Sequence, residues 1–395
     1  MDNIIHLQGD PNSRLTPLFL VHPISGCMLP YVGLEPLSDF DDDEERPVYG
    51  INSYFLTDRA KQQANPQDRP RSLEHTAEVY IRWIQDSGLK RSEQPWLLGG
   101  WSLGGMIAYR MCTLLAVAKN QVVLDCIMID SPCPRQFPSF ESEQELLLVL
   151  SLALKSVQTR SKAFDFDAAG FASILAKTGL PRPSPLPTEA PNRARPRADE
   201  EWNGTTARRL APDGVEWVDG DGHLSDSGSS SSSGSSDRSR CPSSATTSPS
   251  LSSPSGGMKE GYFASEDEYE CKSKADQLRL SICESIHTFL VLLSRESSFG
   301  GSEPSWELLK PYRGRVTLIK CSSLASPNPA LSERRKGFAA TFFSDPTMGW
   351  RAMGIGANLR CLRYPVPVAH DECFDSKIVP LTSELLRAAL VSVRG

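Results

Sequence analysis

The sequence predicts an α/β fold, a mostly parallel sheet covered by helices on both faces. Three observations lead there. Short apolar runs alternate along the chain with segments of helical periodicity. The apolar runs are near-continuous, as in strands buried on both faces, and do not alternate with polar residues. One strand-to-helix junction, GGWSLGGM at 99–106, places four glycines around a single serine.

In chain order, PLFLVH (17–22) and PVYGIN (47–52) read as strands. SLEHTAEVYIRWIQDSG (72–88) reads as a helix ended by Gly88. PWLLGG (95–100) is a strand. It leads into a helix whose apolar residues Ile107, Met111, Leu114 and Leu115 recur at helical spacing. VVLDCIMID (122–130) is a strand, followed by the helical segment ESEQELLLVLSLALKSVQ. KADQLRLSICESIHTFLVLLSRE reads as a helix, RVTLIKCS (315–322) and LRCLRYPV (359–366) as strands, and PLTSELLRAALVSV as a closing helix. Between the two central helices, residues 181–261 are rich in Pro, Ser, Gly, Arg and Asp, and ten of the sixteen residues from Ser225 to Arg240 are serine. Such a composition cannot bury enough apolar surface to offset its ordering entropy, so this segment is expected to be a disordered insertion within a domain.

Composition narrows the function classes. Hydrophobic residues make up 39% of the 395, enough for a sizeable core, and the net charge of −6 argues against nucleic acid as a partner. The ten cysteines contain no C-x-x-C pair; Cys27, Cys112, Cys126, Cys283 and Cys321 lie in apolar stretches and read as reduced core thiols. The start, MDNIIHLQGDPNS, lacks the basic and apolar regions of a signal peptide, and no apolar run reaches the length of a membrane span. A soluble, cytoplasmic protein without a metal is the expectation.

Gly100, Ser102 and Gly104 fit G-x-S-x-G. On a strand-to-helix turn this pattern is a nucleophile elbow: the glycines let backbone pass close by, and the serine is forced outward in a strained conformation. A serine hydroxyl needs a base to take its proton. Of six histidines, His6 lies near an expected mobile terminus, His75 and His287 inside helices, and His223 in the insertion. His22 ends the first strand and is expected to orient the following loop without moving protons. His370, in PVPVAHDECF after the last strand, is placed to swing over the carboxyl ends of the sheet, where catalytic groups gather. Two acids satisfy the order serine, acid, histidine: Asp130 at the end of the strand beside the nucleophile strand, and Asp345 in FFSDPTMGW, read as following the next strand. Asp130 is favoured for its position. For the oxyanion, one amide is expected from Leu103, the residue after the nucleophile. The second comes from the HPISGCM loop, with Ile24 preferred over Ser25, and Pro23 excluded for want of an N–H.

The stretches PLFLVHPISG, RPVYGIN, LLGGWSLGGMIAYRM and IMIDSP, the D-x-x-x-GW of Asp345 to Trp350, and the final His370–Asp371 pair together resemble the type I thioesterase domains of polyketide and nonribosomal peptide synthases. The likeness is greatest to the release domains of fungal nonreducing polyketide synthases. It covers the chain apart from 181–261. One departure is the Val368–Ala369 lead into the histidine, where that family commonly has a glycine. The resemblance implies an α/β-hydrolase fold with a helical lid insertion. The domains are then a core at 1–139, lid helices at 140–180, the insertion at 181–261, further lid helices at 262–300, and the rest of the core at 301–395. The apolar faces of the lid helices would include Leu146, Leu147, Leu150 and Leu152, and Leu280, Ile286, Phe289 and Leu290. It implies Ser102 as nucleophile, His370 as base and Asp130 as the usual acid, with Asp345 kept because some relatives carry the acid after the later strand. The implied substrate is an acyl thioester on the phosphopantetheine of an acyl carrier protein, with no other cofactor. With no carrier or synthase domain ahead of the fold in this sequence, the expectation is a carrier protein acting in trans, with a truncated or excised release domain as the alternative. Hydrolysis and Claisen or lactone cyclisation both remain open, with a general carboxylesterase or lipase and a noncatalytic binding module as rival readings.

Overall fold

The computed structural model describes residues 2–37, 44–57, 59–118, 121–160, 266–296, 312–324 and 327–391. The expected insertion at 181–261, and the portions of both lid stretches at 161–180, 262–265 and 297–300, lie outside them.

Among the described residues seven strands form one sheet: β1 (Ile4–Gln8), β2 (Leu18–Val21), β3 (Val48–Ile51), β4 (Trp96–Trp101), β5 (Val123–Ile129), β6 (Val316–Lys320) and β7 (Leu359–Arg363). Their order is β1-β3-β2-β4-β5-β6-β7. All pairings are parallel except β1 with β3. The period of two sorts each strand's side chains between two cores. Phe19, Val21, Leu98, Cys126, Met128 and Leu318 join one. Leu18, Leu20, Leu97, Ile127, Ile129 and Ile319 join the other.

The helices are α1 (Arg59–Ala64), α2 (Leu73–Ser87), α3 (Leu103–Thr113), α4 (Glu143–Arg160), α5 (Glu266–Glu296), α6 (Glu333–Ser344) and α7 (Val379–Val391). Helices α2 and α3 cover the first face, and α7 contributes to the second. Ser72 caps α2 by accepting from the His75 amide, and Gly88 closes it in the left-handed region at φ 68°. Helices α4 and α5 pack on each other around Leu147, Leu150, Leu154, Ile282, Cys283, Ile286 and Leu290, a third cluster that also holds Cys27 and Leu56.

Besides the six-residue helix α1, which the sequence reading does not include, two elements differ from the sequence expectation. His6 belongs to β1, paired with Tyr49 of β3, and not to a mobile terminus. The Asn52 side chain fastens the entry by donating to the Asp2 carbonyl, and its amide donates to Asn3. The free edge of β3 supplies the ladder that IIHLQ has no means of announcing alone. Helix α6 stands between β6 and Asp345, so Asp345 follows a helix and not the strand directly. A central glycine and a run of charged residues hide α6, although Ser332 accepts from the Arg335 amide as an ordinary N-cap.

Helix α6 is clasped to α4 by a buried ion pair. Arg335 Nε lies 2.9 Å from Glu145 Oε1, Nη2 donates to the Pro138 carbonyl at 3.0 Å, and the guanidinium stacks over Phe140 at 3.9 Å. Glu145 also accepts from Ser332 Oγ at 2.6 Å and the Glu141 amide at 2.8 Å. Removing the cation leaves a buried carboxylate without its counter-charge. Arg335→Ala is therefore expected to lower the unfolding free energy by about 3 kcal/mol, read as the urea midpoint at pH 7.

Candidate active site

The elbow is built by the close approach of β2 to the β4–α3 turn. A Cβ on residue 100 would stand 2.4 Å from the Gly104 carbonyl carbon, and one on residue 104 would stand 2.2 Å from the Val21 oxygen. Only glycine allows this approach. Ser102 takes the turn at φ 56° and ψ −121°, a strained conformation for a residue with a side chain. Its own amide donates to the Ile129 carbonyl at 2.9 Å.

His370 opens a 3-10 turn, His370–Glu372, beyond β7. Its Nε2 lies 3.1 Å from Ser102 Oγ and its Nδ1 lies 2.6 Å from Asp130 Oδ2. A carboxylate only accepts, so Nδ1 carries the proton and the lone pair of Nε2 faces the serine hydroxyl. The Val368–Ala369 lead needs no glycine, because Ala369 is extended at φ −89° and ψ 164°. The Ala369 amide donates to Glu372 Oε2, fastening the turn. Trp101, the residue before the nucleophile, packs its ring 5.4 Å from the imidazole.

Asp130 directly follows β5 at φ 43°, another strained non-glycine backbone. The strain is held by its amide donating to Ile319 at 2.7 Å, and Oδ1 accepts from the Cys321 amide at 2.9 Å. Burial of this carboxyl works to raise its pKa. The hydrogen bonds from His370 and Cys321 outweigh that and hold it below the usual carboxylate range. The acid is nearly enclosed, its side chain 8% exposed, while the histidine is 44% exposed and open to a ligand.

The structure brings Asp130, and not Asp345, to the imidazole. The Asp345 carboxylate accepts from the Thr347 amide and hydroxyl, both at 2.8 Å, and from the Gly349 amide at 2.7 Å. That tight turn swings Trp350 beneath the loop after β5, where its indole donates to the Ser131 carbonyl at 2.7 Å. Lys320, at the end of β6, donates to the Phe342, Phe343 and Asp345 carbonyls and closes the C-terminus of α6.

Leu103 is the first residue of α3, where an amide has no partner within its own helix. Ile24 and Ser25 lie in the loop after β2 and share a cavity wall with Ser102. His22 ties that loop down from a fully buried position. Its Nδ1–H donates to the Pro23 carbonyl at 2.6 Å, and its Nε2 accepts from the Tyr80 hydroxyl at 2.5 Å. Burial lowers the His22 pKa to about 4, against the raising effect of the Pro23 bond, so the ring is neutral at pH 7. Phe289 and Ser285 of α5 reach the same loop. Phe289 packs 5.3 Å from His22, and Ser285 Oγ donates to Ser53 Oγ beside Gly26.

Ser102 and His370 open on a cavity of about 1130 Å³. One wall is formed by Ala153, Val157 and Ile282 of α4 and α5, the other by Leu29, Pro30 and the start of α7 with Lys377. Burial raises the pKa of the Cys27 thiol on this wall to about 11, so it stays protonated. Among the described residues no group of three or more His, Cys, Asp or Glu side chains could hold a metal ion. Among them, too, no helix is long and apolar enough to cross a membrane.

Residues 16–153, from the start of β2 into α4 and including the elbow, match the thioesterase-domain family. Across all of both chains, the protein is 28% identical to thioesterase pytI of Aspergillus terreus. Over the part that carries the elbow, the chain thus resembles the thioesterase family. Over 146 residues it is 38% identical to thioesterase pynI of Aspergillus niger, an alignment spanning 37% of this chain and 41% of that one. It is 37% identical over 139 residues to a non-reducing polyketide synthase of Pseudevernia furfuracea, covering 34% of this chain and 6% of the synthase. The structure superposes on a four-domain nonribosomal peptide synthetase, AB3403, with a TM-score of 0.50 and 14% identity, over 98% of this chain and 20% of that one. That likeness is one of fold, and with the seven-stranded, mostly parallel sheet it gives the chain an α/β-hydrolase fold.

Two outcomes follow from this geometry. Gly104→Ala forces a Cβ into the Val21 carbonyl and is expected to cost about 2–3 kcal/mol of stability and to slow fluorophosphonate labelling of Ser102. His22 is neutral when folded and protonates in the unfolded chain near pH 6.5, so its stabilisation is present above pH 6.5 and is lost as the pH falls toward 4. This amounts to about 3 kcal/mol, and His22→Asn should remove that part of the acid slope in urea titrations at pH 7 and 4.5.

Proposed function

We propose that this protein is a thioesterase that releases an acyl group from the phosphopantetheine thioester of an acyl carrier protein, acting in trans, through an acyl-serine on Ser102. The observation that carries the reading is the hydrogen-bonded relay Ser102–His370–Asp130 at the mouth of a 1130 Å³ cavity, in a chain whose residues 16–153 match the thioesterase-domain family. A polyketide acyl chain is the proposed cargo; the likeness to non-reducing polyketide synthases supports it.

In this mechanism His370 Nε2 takes the hydroxyl proton as Ser102 Oγ attacks the thioester carbonyl. Asp130 holds the imidazole in the productive tautomer and stabilises its positive form. The oxyanion is received by the Leu103 and Ile24 amides, each contributing about 3–4 kcal/mol to lowering the barrier. The carbon–sulfur bond breaks, His370 returns the proton to the leaving thiol, and the acyl-serine remains. Water activated by His370 then gives the free acid, or a carbon or oxygen nucleophile of the same acyl chain closes a ring. Cavity shape and access of water choose between the two.

Intact-protein mass spectrometry with a polyketide-like acyl N-acetylcysteamine thioester tests the reading. The expected result is a transient acyl adduct and thiol release, both absent from Ser102→Ala. Cleavage of a matched oxygen ester with no thioester cleavage points to a carboxylesterase, and no adduct with either points to a binding module. Asp130→Asn is expected to lower kcat roughly 10³–10⁴-fold with little change in melting temperature. Asp345→Asn, which loosens the turn under Trp350, is expected to lower the melting temperature and largely spare kcat.

A further inference from the structure

Strands β2 and β4 run side by side up to the pairing of Val21 with Gly100, and there their ladder ends. Beyond this pair they part. The His22 amide donates to Ile51 of β3, on one side, and the Ser102 amide donates to Ile129 of β5, on the other. The gap that opens lies between the loop carrying Ile24 and the turn carrying Ser102 and Leu103, where the proposed oxyanion would rest.

A phenol spans this gap. Tyr31, from the 3-10 turn Leu29–Gly33, is fully buried. Its hydroxyl donates to the Val21 carbonyl at 2.7 Å and accepts from the Trp101 amide at 2.8 Å. Val21 is the last residue of β2 and Trp101 the last of β4, so one oxygen atom links the two strand ends. Burial pushes the phenol pKa far up, which keeps the donated proton in place. The Phe374 ring, from the chain just beyond His370, meets Tyr31 edge-on at 5.3 Å and holds it there.

We propose that Tyr31 is a positioning residue that sets the width of the oxyanion hole, by tying the strand end leading to Ile24 to the strand end leading to Ser102 and Leu103. This inference rests on the acyl-serine reading given above. It concerns a residue outside the relay. Donors preorganised for an oxyanion act through placement, so a small widening weakens transition-state binding more than ground-state binding.

The test uses the full chain with Tyr31→Phe, which keeps the ring and deletes both hydrogen bonds. Three probes are applied below the melting temperature of the variant: a p-nitrophenyl ester, phenylboronic acid as a tetrahedral analogue, and a fluorophosphonate that labels Ser102. The expected result is a kcat lower by about 10–100-fold with KM within about twofold. The inhibition constant of the boronic acid rises and the labelling rate falls in the same proportion. The midpoint of the pH–kcat profile does not move, because His370 and Asp130 keep their bond. Labelling of the variant at the wild-type rate overturns the inference and leaves the acyl-serine reading intact. A shifted pH midpoint, or a loss matched by loss of folded protein, also overturns it. Wild-type protein that resists labelling overturns the acyl-serine reading and this inference with it. Should Tyr31→Phe not fold, amide-resolved hydrogen exchange of the wild type decides. Strong protection of the Trp101 amide supports the bridge, and exchange at an exposed rate overturns it.

Discussion

The Val21 carbonyl stands where a side chain on residue 104 would have to be, and the Gly104 carbonyl stands where one on residue 100 would have to be. This approach of β2 to the β4–α3 turn governs the site. With no Cβ at either position the chain can reverse within a few atoms of the neighbouring strand. Ser102 is left at a positive φ, its hydroxyl at the carboxyl end of the sheet and the first amide of α3 behind it. The same carbonyl accepts the Tyr31 hydroxyl. One backbone oxygen thus meets both the elbow and the phenol that ties the strand ends.

The other side of the relay is assembled from parts with little local logic. Asp130 is held at φ 43° by hydrogen bonds to the β6 strand and the Cys321 amide. The loop after it rests on Trp350, and Trp350 is placed by the turn that Asp345 caps. The two acids therefore have complementary duties. One receives the imidazole proton bond, and the other shapes the support beneath the first. Lys320 links them by closing α6 with three carbonyl bonds.

Helices α4 and α5 are coupled to this arrangement through specific contacts. Phe289 and Ser285 reach the loop after β2, Ile282 and Ala153 line the cavity, and Arg335 clasps α4 to α6 through Glu145. The pair's apolar faces were readable from leucine spacing, and they pack chiefly on one another and on Cys27 and Leu56. Leucine periodicity reports that a face is buried. It carries no information about which surface buries it.

The sequence by itself determined the alternation of strands and helices, the elbow at Gly100–Gly104 and the short choice of histidines. These features are local: a turn's glycines, a strand's apolar run and a helix's 3.6 period are all visible within a dozen residues. Strand β1 and helix α6 escaped because neighbours impose them. A five-residue strand needs the β3 edge, and a glycine-broken polar helix needs its packing partners. The sequence favoured Asp130 by its place beside the nucleophile strand but left Asp345 open, and the tertiary structure decided between them. His370 lies 240 residues from Asp130 and 268 from Ser102, and the Cys321 amide lies 191 from the acid it steadies. Either aspartate satisfied the chain order. Only the folded sheet, by setting β5 between β4 and β6, put one carboxylate within 2.6 Å of the imidazole and spent the other on backbone amides.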